Sequence, residues 1–413
     1  MKILIVNTLD IKGGAARAAY RLHHALRTEG MDSHMLVQNK SSDDFTVIGP
    51  VTNRQKALSK IRPFLDILPL HFYKNRTKTF FSPAWVPFSD IVSRINKLKP
   101  DVVHLHWIAG GMMRIEDIAR IDAPVVWSLH DDWAFTGGCH IKWECKKYTQ
   151  SCGACPRLGS NKEKDLSYKV WRRKRKIFSK KNLTIIGVSQ WLTNCSLNSS
   201  LLGDKTHVTL PNPLNTQIFK PQCRNICRKL WNLPYDKKLI LFGANSATSD
   251  INKGFKELSE ALKLIKTTNI EFVVFGSGEP EEPLDFACKT HYLGHLYDEV
   301  SLVALYSAVD VMVVPSLQEA FGQTASESMA CGTPVVSFGA TGLLDIVDHK
   351  NNGYLANTFD SSDLANGIDW VLEHDDPQQL ADNARQKIVN CFDSEVIARK
   401  YINLYRDILS KET

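Results

Sequence analysis

The chain repeats one local pattern from end to end: a short run of β-branched and apolar residues, then a longer stretch with helical spacing. Such runs stand at 2–7, 34–38, 102–106, 125–129 and 184–188, and again at 239–242, 272–275, 309–314 and 334–337. Helical stretches such as 15–29, 255–266 and 324–330 separate them. The runs are apolar throughout and do not alternate with polar residues. They therefore predict strands buried on both faces, in parallel sheets covered by helices. A chain of 413 residues is too long for one ordinary core and suits two domains of about 200 residues each. The turn LPNPLN at 210–215, with its two prolines, is the best boundary. It gives domains at 1–209 and 210–393, each an α/β, doubly wound parallel sheet. Ligands of such sheets sit beyond the carboxyl ends of the strands, so the pairing predicts a site in a cleft between the domains.

Hydrophobic residues make up 43% of the chain and charged residues 23%, which excludes a disordered or fibrous protein. No apolar run approaches the ~18 residues of a membrane span. The opening MKILIVNTL reads as a first strand and lacks the cleavage site of a signal peptide. The expectation is a cytoplasmic protein with reduced cysteines. The net charge of +7 hides an asymmetry: residues 1–215 hold 33 Lys and Arg against 17 Asp and Glu, and residues 216–413 hold 18 against 27. A basic half implies an anionic partner, for which nucleic acid, a bilayer surface and a phosphorylated acceptor all qualify. Two stretches concentrate that charge among aromatics: 169–181, with Trp171, Ile177 and Phe178, and 62–85, with Arg62, Lys74, Arg76 and Lys78. They read either as solvated surface or as a patch facing an anionic bilayer from the inner side.

The densest chemistry is EAFGQTASESMACGTPVV, from Glu319 to Val336. It follows one predicted strand and precedes another, so a helix should open at Gly322 and present free backbone N–H groups to a phosphate. Glu327 then lies inside that helix and Glu319 in the loop before it. Two carboxylates would face one ligand, one gripping sugar hydroxyls and the other ribose hydroxyls. Upstream, Lys253 and Gly254 head the helix FKELSEALKLI, where a lysine can neutralise a diphosphate leaving group. In the first half, Gly13 and Gly14 follow the first strand, with Arg17 one turn on. His130 ends the strand VVWSLH and is followed by Asp131, Asp132 and Trp133.

Two glutamates separated by seven residues and followed by ACGTPVV resemble the signature of family 4 glycosyltransferases. The resemblance implies the GT-B fold: two Rossmann-like domains facing a central cleft, with the final segment, 394–413, crossing back to the first domain as a helix. It implies a retaining hexosyltransferase, independent of metal in catalysis, that takes sugar from a nucleotide diphosphate donor. Glu319 would contact the donor sugar and Glu327 the ribose, with Phe321, Gly322 and Gln323 at the phosphates. Family members usually carry an arginine directly after the strand glycine. Here Ala244 follows Gly243, so phosphate binding would lean on Lys253 and on Asn245, Ser246 and Thr248. The glycine pair Gly13 and Gly14 would cover the donor phosphates, with Arg17 toward the acceptor. His130 would position the donor sugar, the diphosphate itself helping to take the acceptor's proton. Similarity to bacterial exopolysaccharide and colanic-acid-type enzymes implies a saccharide acceptor, undecaprenyl-diphosphate-linked, at the inner face of the membrane. The rival readings are a basic nucleic-acid-binding protein, for which no motif is present, and another GT-B enzyme such as a nucleotide-sugar epimerase. No nucleic acid partner is expected.

Four of the ten cysteines crowd into GGCHIKWECKKYTQSCGACP: Cys139, Cys145, Cys152 and Cys155. The spacing ends in a CxxC knuckle suited to a tetrahedral thiolate site, and a reducing compartment favours structural zinc. His140 is a substitute ligand. Disulfides and redox-sensitive thiols are the other readings.

Overall fold

A computed structural model describes residues 1–243, 250–279 and 288–411. It divides into two compact units, Met1–Pro213 together with Ile397–Thr413, and Leu214–Val396. The division falls inside the two-proline turn.

In the first unit the described strands are β1 (Lys2–Leu9), β2 (Asp32–Asn39), β3 (Val47–Ile48), β4 (Val102–Leu105), β5 (Val125–Leu129), β6 (Leu183–Gly187) and β7 (Thr206–Thr209). They form one parallel sheet in the order β3-β2-β1-β4-β5-β6-β7. The order reverses beside β1, the switch point where such sheets open a crevice at their carboxyl ends. Ile3, Ile5, Val102, Val126 and Ile186 are buried from the strands, against Leu22 and Leu26 of the helix Gly14–Thr28. The last helix, Ser394–Ser410, adds Ile397, Tyr401 and Tyr405 to this core.

The second unit holds β8 (Lys238–Gly243), β9 (Ile270–Phe275), β10 (Thr290–Tyr292), β11 (Val311–Val314), β12 (Val335–Phe338) and β13 (Gly353–Ala356). The sheet is again parallel, in the order β10-β9-β8-β11-β12-β13. Ile240, Phe242, Phe272, Val311, Val313 and Val336 pack against the helices Phe255–Leu262 and Ser361–Leu372. Two Rossmann-like parallel-sheet units are thus present.

The strands absent from the sequence pattern are β3, β7, β10 and β13, the outermost strand at each side of each sheet. Edge strands are short and half exposed, so they need no continuous apolar run. The run at 309–314 shortens because Val309 ends the preceding helix Glu299–Ala308.

Candidate functional site

In the second unit the loops after β8 and β11 bring two predicted residues together. Lys253 closes the single turn Ile251–Lys253, and Glu319 stands between β11 and the helix Gln323–Ala330. Lys253 Nζ lies 2.9 Å from Glu319 Oε2, which also accepts from Ser316 Oγ at 3.2 Å. The loops are tied by Asn252, whose Nδ2 donates to Gln318 O at 2.7 Å and whose carbonyl accepts from Leu317 N. Glu319 N donates to Thr341 Oγ1 at 3.1 Å, and Glu319 O accepts from Gly342 N. Gly254 makes the approach possible: at φ 68° a Cβ there would stand 1.8 Å from Pro315 O, so only glycine fits. Burial opposes the charge of Lys253, but Glu319 outweighs it and holds the lysine protonated above its ordinary range. The result is a cation and a carboxylate, both part-exposed, at the carboxyl ends of adjacent strands.

The helix Gln323–Ala330 opens at Gly322 (φ 106°), as expected, with Phe321 buried against the ring of Phe392. Backbone N–H groups at such a helix start suit an anion. Glu327 behaves differently from Glu319. It is 2% exposed, and its Oε2 accepts from Tyr306 OH at 2.9 Å. Its carboxylate is thus buried, whereas that of Glu319 is part-exposed. Asn245, Ser246 and Thr248 lie outside the described residues.

In the first unit His130 follows β5, half-buried, with Nε2 2.8 Å from His106 Nδ1 and the two rings stacked. His106 Nε2 is buried without a partner. A bare lone pair is cheaper to bury than an N–H, so His106 carries its proton on Nδ1 and donates it to His130. That leaves the His130 proton on Nδ1. Burial lowers His130 to about 4, Asp131 opposing, and so the ring is a neutral donor near pH 7. Behind it, His104 Nδ1 and Nε2 pair with Tyr405 OH at 2.7 Å and Ser128 Oγ at 2.8 Å.

Asp131 is fixed by three partners: Trp107 Nε1 at 2.8 Å, His140 Nδ1 at 2.6 Å and the amide of Trp133 at 2.8 Å. Burial would raise its pKa, but His140 and these donors hold it below the ordinary range. His140 also uses Nε2, toward Ser82 Oγ at 2.9 Å. Both its nitrogens are committed, which corrects the expectation that it substitutes as a metal ligand. Gly13, at φ 91°, caps the helix Gly14–Thr28, and Arg17 N donates to its carbonyl.

Two expectations about the basic surface change. Trp171 and Phe178 face the interior from the helix Leu166–Phe178, and Arg62 is buried, donating to the carbonyls of Gly111, Pro87 and Val86. Phe64, Phe72, Phe80 and Phe88 are 71–90% exposed instead, near the exposed Lys60, Lys74 and Arg76. Among the described residues the close grouping of metal-type donors is His23, His24 and Asp44. His23 already bonds Ser33 and Thr46 through its two nitrogens, so this is a hydrogen-bonded strut between helix and sheet. His106 and Thr341 were missed from sequence. The first had a signal, because the apolar run at 102–106 sets His104 and His106 two residues apart, on one face of an extended chain.

The model for "Glycosyltransferase Family 4" matches residues 12–216, and that for "Glycosyl transferases group 1" matches 225–387. An uncharacterized glycosyltransferase of Methanocaldococcus jannaschii is 27% identical over 338 residues, 76% of this chain and 84% of that protein. The N,N'-diacetylbacillosaminyl-diphospho-undecaprenol alpha-1,3-N-acetylgalactosaminyltransferase of Campylobacter jejuni is 32% identical over 185 residues, 43% of this chain and less than half of that protein, 47%. Among solved structures, sucrose-phosphate synthase from Thermosynechococcus elongatus superposes with a TM-score of 0.70 at 19% identity, covering 100% of both chains. Anabaena HepE, solved with UDP and glucose, gives 0.67 at 16% identity, covering 98% of this chain and 99% of that one. With one model matched to each unit and GT-B neighbours over the full length, the chain belongs to the family 4 glycosyltransferases.

Proposed function

We propose that this chain is a retaining hexosyltransferase that moves sugar from a nucleotide diphosphate donor to a lipid-linked saccharide acceptor in bacterial surface polysaccharide synthesis. The observation that carries the reading is the Lys253–Glu319 pair, 2.9 Å apart at the carboxyl ends of β8 and β11. A nucleoside diphosphate leaving group gains one unit of negative charge as its bond to the anomeric carbon breaks, and Lys253 offsets it. Glu319, once the lysine turns to phosphate, accepts from sugar hydroxyls, while the amides at Gly322 and Gln323 hold the phosphates. The neutral Nδ1–H of His130 donates to a sugar oxygen and orients the anomeric carbon for attack. Front-face attack by the acceptor hydroxyl, its proton passing to the departing diphosphate, needs no protein nucleophile and no catalytic metal. The donor class draws on the UDP and glucose bound by HepE. The lipid-linked acceptor draws on the Campylobacter relative and on a capsular polysaccharide glycosyltransferase of Staphylococcus aureus, 26% identical over 174 residues.

The exposed phenylalanines 64, 72, 80 and 88 with their flanking lysines and arginine support peripheral attachment to an anionic bilayer at the cytoplasmic face, a mode that needs no spanning helix. Among the described residues no helix is long and apolar enough to cross a membrane. Incubation with a panel of UDP-, GDP- and ADP-sugars, with and without polyprenyl-diphosphate saccharide, tests the reading. One donor should turn over faster with acceptor, and the product's anomeric configuration should match the donor's. An inverted product, or no turnover of any donor, would overturn it.

A further inference from the structure

The four clustered cysteines have no part in the donor chemistry, yet the fold encloses them. Cys139, Cys145, Cys152 and Cys155 all line one small cavity of about 20 Å³, room for a single water-sized sphere. All four are free thiols, three of them buried and Cys145 half-buried. Sulfur makes a poor hydrogen-bond acceptor unless it is an anion, and here an amide is aimed at one. Gly137 N donates to Cys152 Sγ at 3.1 Å, an approach that requires glycine, since a Cβ there would stand 2.6 Å from Cys152 Cβ. An amide aimed at sulfur in this way stabilises a thiolate at a metal knuckle.

Positive charge surrounds the same cavity. Lys142 and Lys147 line it. Behind it Lys174 is 0% exposed, its Nζ donating to the carbonyls of Trp133 and Thr136 and standing 3.7 Å from the Trp133 ring centroid. Thr136 itself lines the cavity, so its bond to Lys174 brings the ammonium up to the cavity wall. A buried ammonium held by carbonyls and a ring is costly, and four thiolates gathered on one zinc ion would carry a net negative charge that offsets it.

We propose that Cys139, Cys145, Cys152 and Cys155 bind one structural zinc ion, and that Lys174 offsets part of the charge of the tetrathiolate complex. Four thiols lose four protons as Zn²⁺ enters, leaving a complex of net charge −2. No three of these sulfurs lie within 4.8 Å of one another, wider than the roughly 3.8 Å spacing that Zn–S bonds of about 2.3 Å impose. Binding therefore draws the cage inward, with the less buried Cys145, beside the turn Lys147–Thr149, moving most.

The site bears on the wall that holds His130. Cys139 pairs across a bridge with Phe81, and the next residue, His140, grips Asp131 and accepts from Asp132 N. A metal that fixes this loop fixes the residues on either side of Trp107.

Metal analysis of the full-length reduced protein, purified without chelator, should give about one zinc per chain. Cobalt substitution should produce sulfur-to-metal charge-transfer absorption with the visible bands of a tetrahedral ion. Cys152→Ser should lower zinc content below ~0.3 equivalent, while Cys223→Ser, at an exposed thiol, leaves it unchanged. Lys174→Met should weaken retention against a competing chelator by about tenfold or more. Less than ~0.3 equivalent in the parent protein with no cobalt charge-transfer band, or mapping of these cysteines into two disulfides, would overturn the proposal.

Discussion

The two units hold their candidate residues in opposite ways. In the second, the Lys253–Glu319 pair comes from two loops that each lie within a contiguous motif, and the two residues meet because adjacent strands β8 and β11 end side by side. In the first, His130 rests on residues scattered along the chain. His106 reaches it from just past the end of β4, Asp131 beside it is held by Trp107 and His140, and His104 is held by Tyr405 of the last helix. A compact motif concentrates charge for one task. A distributed network sets orientation and tautomer, and tolerates change in any one member better.

That contrast can be broken by mutation. Lys253→Ala and Glu319→Ala should cause the largest losses, each lowering kcat on the order of 10²–10³-fold, since each removes charge aimed at the transition state. Circular dichroism should show both variants folded, because the pair is part-exposed. His130→Ala should lower kcat less, by roughly 10²-fold. His106→Phe should lower it less again, about tenfold, with KM for the donor nearly unchanged. Equal losses for His106→Phe and Lys253→Ala would dissolve the distinction between positioning and charge.

A pH series sharpens the same point. Burial lowers both His23 and His104 to about 3, against about 6.5 in an unfolded chain. Between those values the unfolded state binds more protons, so stability is full above pH 6.5 and is lost as pH falls toward 3. Each fully buried histidine contributes up to about 1.4 kcal/mol per pH unit in that window. Thermal melting at pH 7 and pH 5 should show the first unit losing stability first, and His104→Gln should flatten the slope. The smallest effect expected is on lipid. Phe64→Ser with Phe72→Ser should reduce co-sedimentation with anionic vesicles at low salt and leave turnover of a soluble acceptor unaltered.

Most of the central strands, and the placing of Lys253 and Glu319 in loops between a strand and a helix, were legible in sequence, because buried parallel strands are uniformly apolar and a helix start after a strand has few geometries; the ion pair between the two was not. The outer strands β3, β7, β10 and β13 were not, since their half-exposed residues carry no such run. Nor was the difference between the two glutamates. Spacing places Glu319 and Glu327 in one motif, but only packing shows that Tyr306 takes the second inward. The basic stretches misled for a related reason. Charge counts could not tell that Arg62 and Lys174 are buried, or that the exposed aromatics lie on the helix Asn53–Ile67 and the turns after it.

The most direct test of the central claim is calorimetric titration of UDP, GDP and ADP into the parent protein, Lys253→Ala and His130→Ala. If Lys253 meets the diphosphate, one nucleotide binds the parent, and Lys253→Ala weakens it by about tenfold to a hundredfold, the worth of one charge-assisted contact. His130→Ala leaves that affinity nearly unchanged. Parent-like affinity in Lys253→Ala, or a larger loss in His130→Ala, would contradict the assignment of the donor phosphates to the second unit.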